Sequence, residues 1–298
     1  MEIRVLRYFL ETAREGNMTR VAERLFISQP TMSKQLKELE QELGTKLFIR
    51  SNYNIKLTEA GMLLRDRAED ILSLMDKTLE EFRSLEEINS GDIFVGALES
   101  ETMSLFAETV RDLQKMYPRI RCNIYSGNLT DVCERLDKGL LDFAIVMSYV
   151  DLSKYNYLKL PMKDTWGVLM RKDDPLAGKD RFEVSDLAGL PLICSRQWID
   201  REVPEWFGSE SKKINITATY NLVYNGSVMV RAGMGYAVIL DKLVSTGDDS
   251  DLIFRPLSGV PQTEMYVIWR KYQTFTPVAK LLMEELKGRL SRQPADQR

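Results

Sequence analysis

Apolar residues recur with helical spacing over the first ninety residues of the chain. In residues 28–43 they lie four, three and four positions apart, which predicts a helix with one buried stripe. The stripe consists of Met32, Leu36, Leu39 and Leu43. Pro30 suits the first turn of this helix and Gly44 suits its end. The other face carries short hydroxyls followed by lysines, which suits a helix that lies in the major groove of DNA.

Two shorter helices are predicted before this stretch, the first from Ile3 to Ala13 and the second from about Thr19 to Leu25. A turn at residues 26–28 joins the second helix to the third, so the pair forms a helix-turn-helix. The residues that we expect to face DNA lie on the third helix and on a following strand. They are Ser28, Gln29, Pro30, Thr31, Ser33, Lys34, Lys37 and Arg50.

A β-hairpin and a long helix are predicted next. Residues 46–50 and 55–57 flank a polar tetrapeptide, Ser51 to Asn54, and this arrangement predicts the wing of a winged helix-turn-helix. Thr58 suits the cap of a helix that continues to about Asn89. Apolar residues on that helix repeat four, three, four and three positions apart, as in a coiled coil, so we predict a dimer. The seam comprises Ala68, Leu72, Met75, Leu79 and Phe82.

The pattern changes from Gly91 onward, where short β-rich runs alternate with helical segments. The predicted strands are 93–95, 122–125, 143–147, 166–170, 192–194, 236–240 and 266–269. Helices are predicted at 102–116 and 128–138, and a last one begins at Thr276-Pro277. This alternation is typical of βαβ units and open parallel sheets.

Composition narrows the possible chemistry. The 298 residues include no histidine, which removes His-based acid–base catalysis, Ser-His and Cys-His nucleophile pairs, and most zinc and iron sites. We therefore expect no catalytic site, no metal and no cofactor. Cys122, Cys133 and Cys194 are too few and too scattered for a disulfide framework.

Charge is divided unevenly along the chain. The net charge is −3, but residues 1–58 carry ten Lys and Arg against seven Glu, whereas residues 59–90 carry nine acids against four bases. The basic end therefore coincides with the predicted helix-turn-helix. No apolar run approaches the roughly 20 residues of a membrane span, and the N-terminus lacks a signal-peptide pattern. We expect a cytoplasmic protein.

Several motifs together resemble the signature of the LysR-type transcriptional regulators. They are Ala22-Glu23-Arg24-Leu25, Ser28-Gln29-Pro30, Ser33, Leu39-Glu40, Leu43-Gly44, Leu47-Phe48-Ile49-Arg50 and Leu57-Thr58-Glu59-Ala60-Gly61. Further similarities lie at residues 139–145, 174–177 and 230–240. The resemblance therefore extends over nearly the whole chain.

The resemblance implies an α/β protein with a winged helix-turn-helix at 1–58, a linker helix for dimerisation at 59–90 and an effector domain similar to periplasmic solute-binding proteins. The effector domain would have two subdomains, 91–160 with 267–298 and 161–266. The resemblance also implies a homotetramer that bends promoter DNA, in which effector binding alters the DNA geometry presented to RNA polymerase. An enzyme on this fold and an architectural DNA-binding protein are the two alternatives.

Ligands of open α/β sheets bind beyond the carboxyl ends of strands. Polar residues at such positions match the family's effector contacts: Glu99, Ser100, Glu101, Thr102, Asn128, Ser148, Cys194, Ser195 and Asn225. Ser100, Thr102 and Asn128 have a simpler interpretation as helix caps. A redox role for Cys194 would need a low-pKa thiol and a partner.

Glu99 and Glu101 would repel the organic anions that many family members bind. One hypothesis is that the effector is cationic, zwitterionic or neutral, or that these acids occupy the anion site until displaced. The alternative is that they lie in the first turn of a helix, face solvent and interact with its dipole. The wing tip contains no Lys or Arg, which predicts fewer phosphate contacts and a shallower salt dependence of DNA binding.

Overall fold

The computed structural model describes residues 1–50, 55–86 and 90–292, with side chains except at residues 50 and 84–86. The predicted wing tip, Ser51 to Asn54, lies outside the described residues. The chain divides into two compact units, Met1–Phe82 and Arg83–Arg298. We call them the N-terminal unit and the C-terminal unit.

The N-terminal unit contains the three predicted helices and the predicted hairpin. Its elements are α1 (Ile3–Glu15), α2 (Met18–Arg24), α3 (Gln29–Glu42), β1 (Phe48–Arg50), β2 (Ile55–Leu57) and α4 (Glu59–Glu86), which continues into the next unit. β1 and β2 pair antiparallel. The core comprises side chains from all three short helices and from β1, among them Leu6, Phe9, Val21, Met32, Leu36 and Phe48.

Local hydrogen bonds explain where these helices begin and end. The Ser28 hydroxyl accepts a hydrogen bond from the Thr31 N–H at the start of α3, at 3.3 Å. Gly44 follows α3 with a φ of 68°, a left-handed conformation that favours glycine. The Thr58 hydroxyl accepts a hydrogen bond from the Gly61 N–H and so caps α4, as predicted. Leu43 corrects the predicted stripe: it lies just after the last residue of α3 and is 42% exposed.

α4 buries one end of its apolar seam and exposes the other. Ala68 is fully buried against the core of the N-terminal unit, and Leu72 packs against the same core. Leu79 and Phe82, further along the helix, are 50% and 67% exposed. The seam therefore continues as an exposed apolar stripe beyond the core.

The C-terminal unit contains two sheets flanked by helices. Its strands are β3 (Ser90–Ala97), β4 (Arg119–Ser126), β5 (Phe143–Met147), β6 (Tyr155–Asp164), β7 (Trp166–Arg171), β8 (Phe182–Glu183), β9 (Pro191–Ser195), β10 (Asn215–Tyr220), β11 (Tyr236–Leu240), β12 (Leu252–Ser258) and β13 (Thr263–Arg270). Its helices are α5 (Met103–Met116), α6 (Leu129–Asp137), α7 (Arg196–Phe207), α8 (Val223–Arg231) and α9 (Pro277–Arg292).

Each sheet belongs to one lobe. The first lobe has the strand order β4-β3-β5-β13-β6, and the second has β10-β9-β11-β7-β12-β8. The chain passes from the first lobe to the second between Asp164 and Trp166 and returns between Ser258 and Thr263. β6 therefore continues beyond the predicted boundary at 160, and β13 begins before the predicted boundary at 267.

Both sheets are mixed, whereas the alternation of elements predicted parallel sheets. β3 pairs parallel with β4 and β5, but β13 runs antiparallel to β5 and β6. The reason is that β6 leaves the first sheet at the edge where β13 returns, so β13 must run in the opposite direction. In the second lobe, β7 likewise runs antiparallel to β11 and β12.

Candidate functional site

A cavity of about 760 Å³ opens between the two lobes of the C-terminal unit. The first turns of α6, α7 and α8 all contribute to its wall, so three helix N-termini meet there. Apolar side chains line the rest, including Leu98, Met147, Trp166 and Ile239. Polar and charged side chains outnumber the apolar ones in this wall, and an apolar surface that carries several hydrogen-bonding groups suits a small polar ligand.

Side chains at the helix N-termini are held by their own caps. The Asn128 side-chain oxygen accepts a hydrogen bond from the Asp131 N–H at 3.0 Å, and the Ser195 hydroxyl accepts one from the Trp198 N–H at 3.1 Å. Asn128 thus fulfils the simpler interpretation as a cap while it also lines the cavity. Capping fixes the position of each polar group without removing its remaining hydrogen-bonding capacity.

Glu99 connects the two lobes at the cavity wall. Its Oε2 accepts a hydrogen bond of 2.6 Å from the backbone N–H of Val223, the first residue of α8. α5 begins only at Met103 and has no acid in its first turn. Glu99 therefore interacts with the N-terminus of a helix in the other lobe, which differs from the expectation of a solvent-facing acid at the start of its own helix.

The structure brings three of the nine predicted effector residues to the cavity, namely Glu99, Asn128 and Ser195. The other six lie elsewhere. Ser100, Thr102 and Cys194 are buried, Ser148 and Asn225 are exposed outside the cavity wall, and Glu101 is half-buried in the turn before α5. Ser100 donates its hydroxyl hydrogen to Asp164, at the end of β6.

Several cavity residues were not predicted from the sequence. Thr219 and Asn221 come from β10 and the segment after it, and α7 contributes Arg196, Gln197, Asp200 and Arg201. Neither β10 nor α7 was predicted. The Ser195 cap followed by a helical pattern from Trp198 to Phe207 is the signal that could have revealed α7.

Burial raises the pKa of each cysteine thiol. It raises the pKa of Cys194 to about 12, that of Cys122 to about 12 and that of Cys133 to about 11. A thiolate is the reactive form, and such values leave very little of it at neutral pH. The buried, inert cysteine is therefore the interpretation that the geometry favours.

The N-terminal unit presents a polar face at the start of α3. Ser28, Gln29, Pro30 and Thr31 are exposed, Ser33 is half-buried, and Lys34 and Lys37 are exposed one and two turns into the helix. Lys34 lies 3.8 Å from Glu38 across one turn. Arg50 ends β1, and its side chain is among those not described.

Among the residues that the structure describes, no group of three or more acidic, cysteine or histidine side chains is arranged to hold a metal ion. In the same part of the chain, no helix is both long and apolar enough to cross a membrane.

Two family models match the chain, and together they cover nearly all of it. Residues 3–62 match the model described as bacterial regulatory helix-turn-helix protein, lysR family, and residues 87–291 match the LysR substrate binding domain. The chain belongs to the LysR family. It is a transcriptional regulator with a DNA-binding helix-turn-helix and a substrate-binding domain for an effector, and this family consists of DNA-binding regulators rather than enzymes.

Relatives and solved structures agree with this LysR assignment. The HTH-type transcriptional regulator YtlI of Bacillus subtilis (strain 168) is 31% identical over 80% of the chain and 77% of its own length. BudR of Raoultella terrigena is 26% identical over 95% and 99%. The LysR family regulator CbnR has the same fold, with a TM-score of 0.75 at 20% identity over 97% of this chain and 99% of CbnR, and a structure of full-length CbnR with its target DNA is also similar.

Proposed function

We propose that the cavity between the lobes holds the small-molecule effector of this LysR regulator, and that the exposed first turn of α3 contacts promoter DNA. The convergence of three helix N-termini on one cavity is the observation that carries the effector proposal. Sites for small ligands usually have volumes of roughly 300–1,000 Å³, and the 760 Å³ cavity lies within that range.

The cavity's polar groups define what an effector would contact. Hydroxyl and amide groups come from Ser195, Thr219 and Asn221, and Arg196 contributes an exposed guanidinium at the start of α7. The apolar side of the wall suits a hydrocarbon or aromatic portion of the ligand. The chemical class of the effector is best found by screening, because acids and bases both line the wall.

A ligand screen on the full-length protein tests the effector proposal. Amino acids, amines, organic acids, aromatic acids and sugars would be compared by thermal shift. A ligand that binds only the folded state at a hundredfold excess over its Kd stabilises that state by about 2.7 kcal/mol. We expect the shift caused by such a ligand to fall in Asn221→Ala, because Asn221 lines the cavity. It should persist in Asn225→Ala, whose side chain is exposed outside the cavity wall. Equal shifts in both variants would place the ligand elsewhere.

Phosphate contacts by α3 can be measured through the salt dependence of binding. Each phosphate contact contributes roughly 0.9 to the slope of log K against log salt concentration. We expect Lys37→Gln, an exposed position on α3, to lower that slope by about one unit on specific and random DNA alike. Lys212→Gln, exposed in the C-terminal unit, is the matched control and should leave the slope unchanged. An unchanged slope in the Lys37 variant would show that this lysine does not contact phosphate.

Self-association through α4 completes the proposal. The exposed stripe at Leu79 and Phe82 continues a coiled-coil spacing, which suits burial against the same helix of a second copy. We propose a dimer through the part of the predicted seam beyond the core, at Met75, Leu79 and Phe82, and a tetramer of two such dimers as in the family. Ala68 and Leu72 of the predicted seam instead pack in the core of their own unit. We further propose that the protein acts in the cytoplasm, where promoter DNA and RNA polymerase are present.

A further inference from the structure

The hydrogen bond between Glu99 and Val223 links two parts of the chain that belong to different lobes. Glu99 follows β3 of the first lobe, whereas Val223 begins α8 of the second lobe. The 2.6 Å distance joins a carboxylate oxygen to a backbone N–H, and both residues line the cavity. The contact therefore closes one side of the opening between the lobes.

The chemistry of α8 explains why this contact forms. The residue before α8 is Leu222, whose side chain cannot accept a hydrogen bond, and the helix has no side-chain cap of its own. The first N–H groups of a helix need acceptors and favour negative charge. Glu99 supplies both across the cavity, and a hydrogen bond to a carboxylate is stronger than one to a neutral acceptor.

The segment that carries Glu99 is fixed at the crossover between the lobes. The Ser100 hydroxyl donates to Asp164 Oδ2 at 2.5 Å and accepts from the Thr102 N–H at 2.9 Å. Ser100 and Asp164 are both buried, and Asp164 ends the strand from which the chain crosses to the second lobe. Movement of the lobes about this crossover would therefore act directly on the Glu99 contact.

Two longer contacts lie on the α7 side of the same opening. Gln197 Nε2 lies 3.4 Å from the sulfur of Met147, and the Arg201 guanidinium donates to the backbone oxygen of Tyr149 at 3.4 Å. Both also join the second lobe to the first. The Arg201 hydrogen bond is long and the Met147 sulfur is a weak acceptor, so we expect both contacts to break more easily once the Glu99 contact is lost.

We propose that Glu99 is a latch: its carboxylate, bound to the N-terminus of α8, holds the two lobes at their observed spacing. The latch regulates the proposed effector site, since a ligand that draws the carboxylate away from Val223 would free the lobes to move. Only this last step rests on the proposed function. The latch itself can be tested without any ligand.

Hydrogen–deuterium exchange of the full-length protein, without small molecules, tests the latch. Glu99→Ala removes the acceptor, and Val223→Pro removes the donor at a helix position that tolerates proline. Leu222 has the extended backbone, φ −125° and ψ 139°, that a residue before proline prefers. Glu101→Ala is the control, because Glu101 lies two residues away and outside the cavity wall.

We expect both latch variants to speed exchange in the first turn of α8 at least tenfold, and also to speed it in the first turn of α7 on the other side of the opening. The double variant should add nothing further, and Glu101→Ala should match the wild type. Faster exchange at α8 alone would overturn the proposal, because Glu99 would then be only a helix cap. Unchanged exchange at both helices would overturn it as well. Unchanged exchange at α9 in the first lobe and at β11 in the second would show that each variant remains folded, including the core in which Val223 is buried.

Discussion

In Glu202→Gln, the free energy of unfolding of the C-terminal unit, taken relative to the wild type, should increase by about 3 kcal/mol between pH 5 and pH 8. Glu202 is 1% exposed, on the face of α7 that also carries Trp198 and Trp206. Neither of its carboxylate oxygens has a hydrogen-bond partner of good geometry among the described residues. A buried carboxylate in such surroundings is costly when charged.

Burial raises the pKa of Glu202 from 4.5 to about 7. The Tyr149 hydroxyl and the Arg201 guanidinium favour the charged form and lower the pKa, whereas the carboxylate of Glu205 raises it. Below pH 4.5 the group is protonated in both the folded and the unfolded state. Between pH 4.5 and 7 only the folded state keeps the proton, so this group's contribution to stability is lost progressively as the pH rises.

Urea unfolding followed by tryptophan fluorescence measures this effect. All four tryptophans, at positions 166, 198, 206 and 269, lie in the C-terminal unit, so the signal reports on that unit alone. Burying a glutamine amide changes the free energy of unfolding of the variant by the same amount at every pH. We therefore compare how the difference between variant and wild type changes from pH 5 to pH 8. Asp200→Asn, an exposed position on the same helix, should show little such change. A pH-independent difference for Glu202→Gln would show that its carboxyl is already ionised in the folded protein at low pH.

The sequence predicted the strands that are buried on both faces, and it also predicted the middle of the exposed edge strand β4, where residues 122–125 form a β-rich run. β5 is buried throughout, and β7 is buried except at Arg171, so both read as continuous apolar runs. β10 was missed because most of its residues are exposed at the edge of the second sheet. β6 was missed for the same reason, since its ten residues include polar positions that face solvent at the edge of the first sheet.

The candidate site divides in a similar way. Polar residues directly after predicted strands, such as Asn128 and Ser195, reached the cavity because the ends of the strands define its wall. Asn225 did not, because α8 begins at Val223 and turns that side chain outward. The contact of Glu99 with Val223 joins residues 124 positions apart, and local patterns contain no information about such a pairing.

The second large effect concerns Glu40, which lies in the core of the N-terminal unit. Glu40 is 4% exposed, and its Oε1 accepts hydrogen bonds from the backbone N–H groups of Leu47 and Phe48, at 2.9 and 3.3 Å. Its Oε2 lies 3.3 Å from the Lys46 ammonium. A side chain on α3 thus provides the hydrogen-bond acceptor for the two backbone N–H groups at the start of β1.

Glu40→Ala should therefore destabilise the N-terminal unit by about 3 kcal/mol, since two buried N–H groups lose their acceptor. Glu40→Gln should cost less, because its amide oxygen can still accept both hydrogen bonds and only the interaction with Lys46 is lost. Glu38→Ala, an exposed position on the same helix that pairs with Lys34, is the control and should cost less than about 0.5 kcal/mol.

The charge of Glu40 gives this prediction a pH dependence opposite to that of Glu202. Burial by itself would raise the pKa of Glu40, but the hydrogen bonds from Leu47, Lys46 and Phe48 together lower it below 4.5. The stabilisation that the Glu40 carboxylate provides is therefore fully present above pH 4.5 and is lost as the pH falls through the lower, folded-state pKa.

Far-UV circular dichroism and tryptophan fluorescence, recorded on the same urea series, distinguish the unfolding of the two units. We expect Glu40→Ala to move the dichroism transition of the N-terminal unit and to leave the fluorescence transition in place. Equal stability of Glu40→Ala and Glu38→Ala would mean that the two N–H groups find other acceptors.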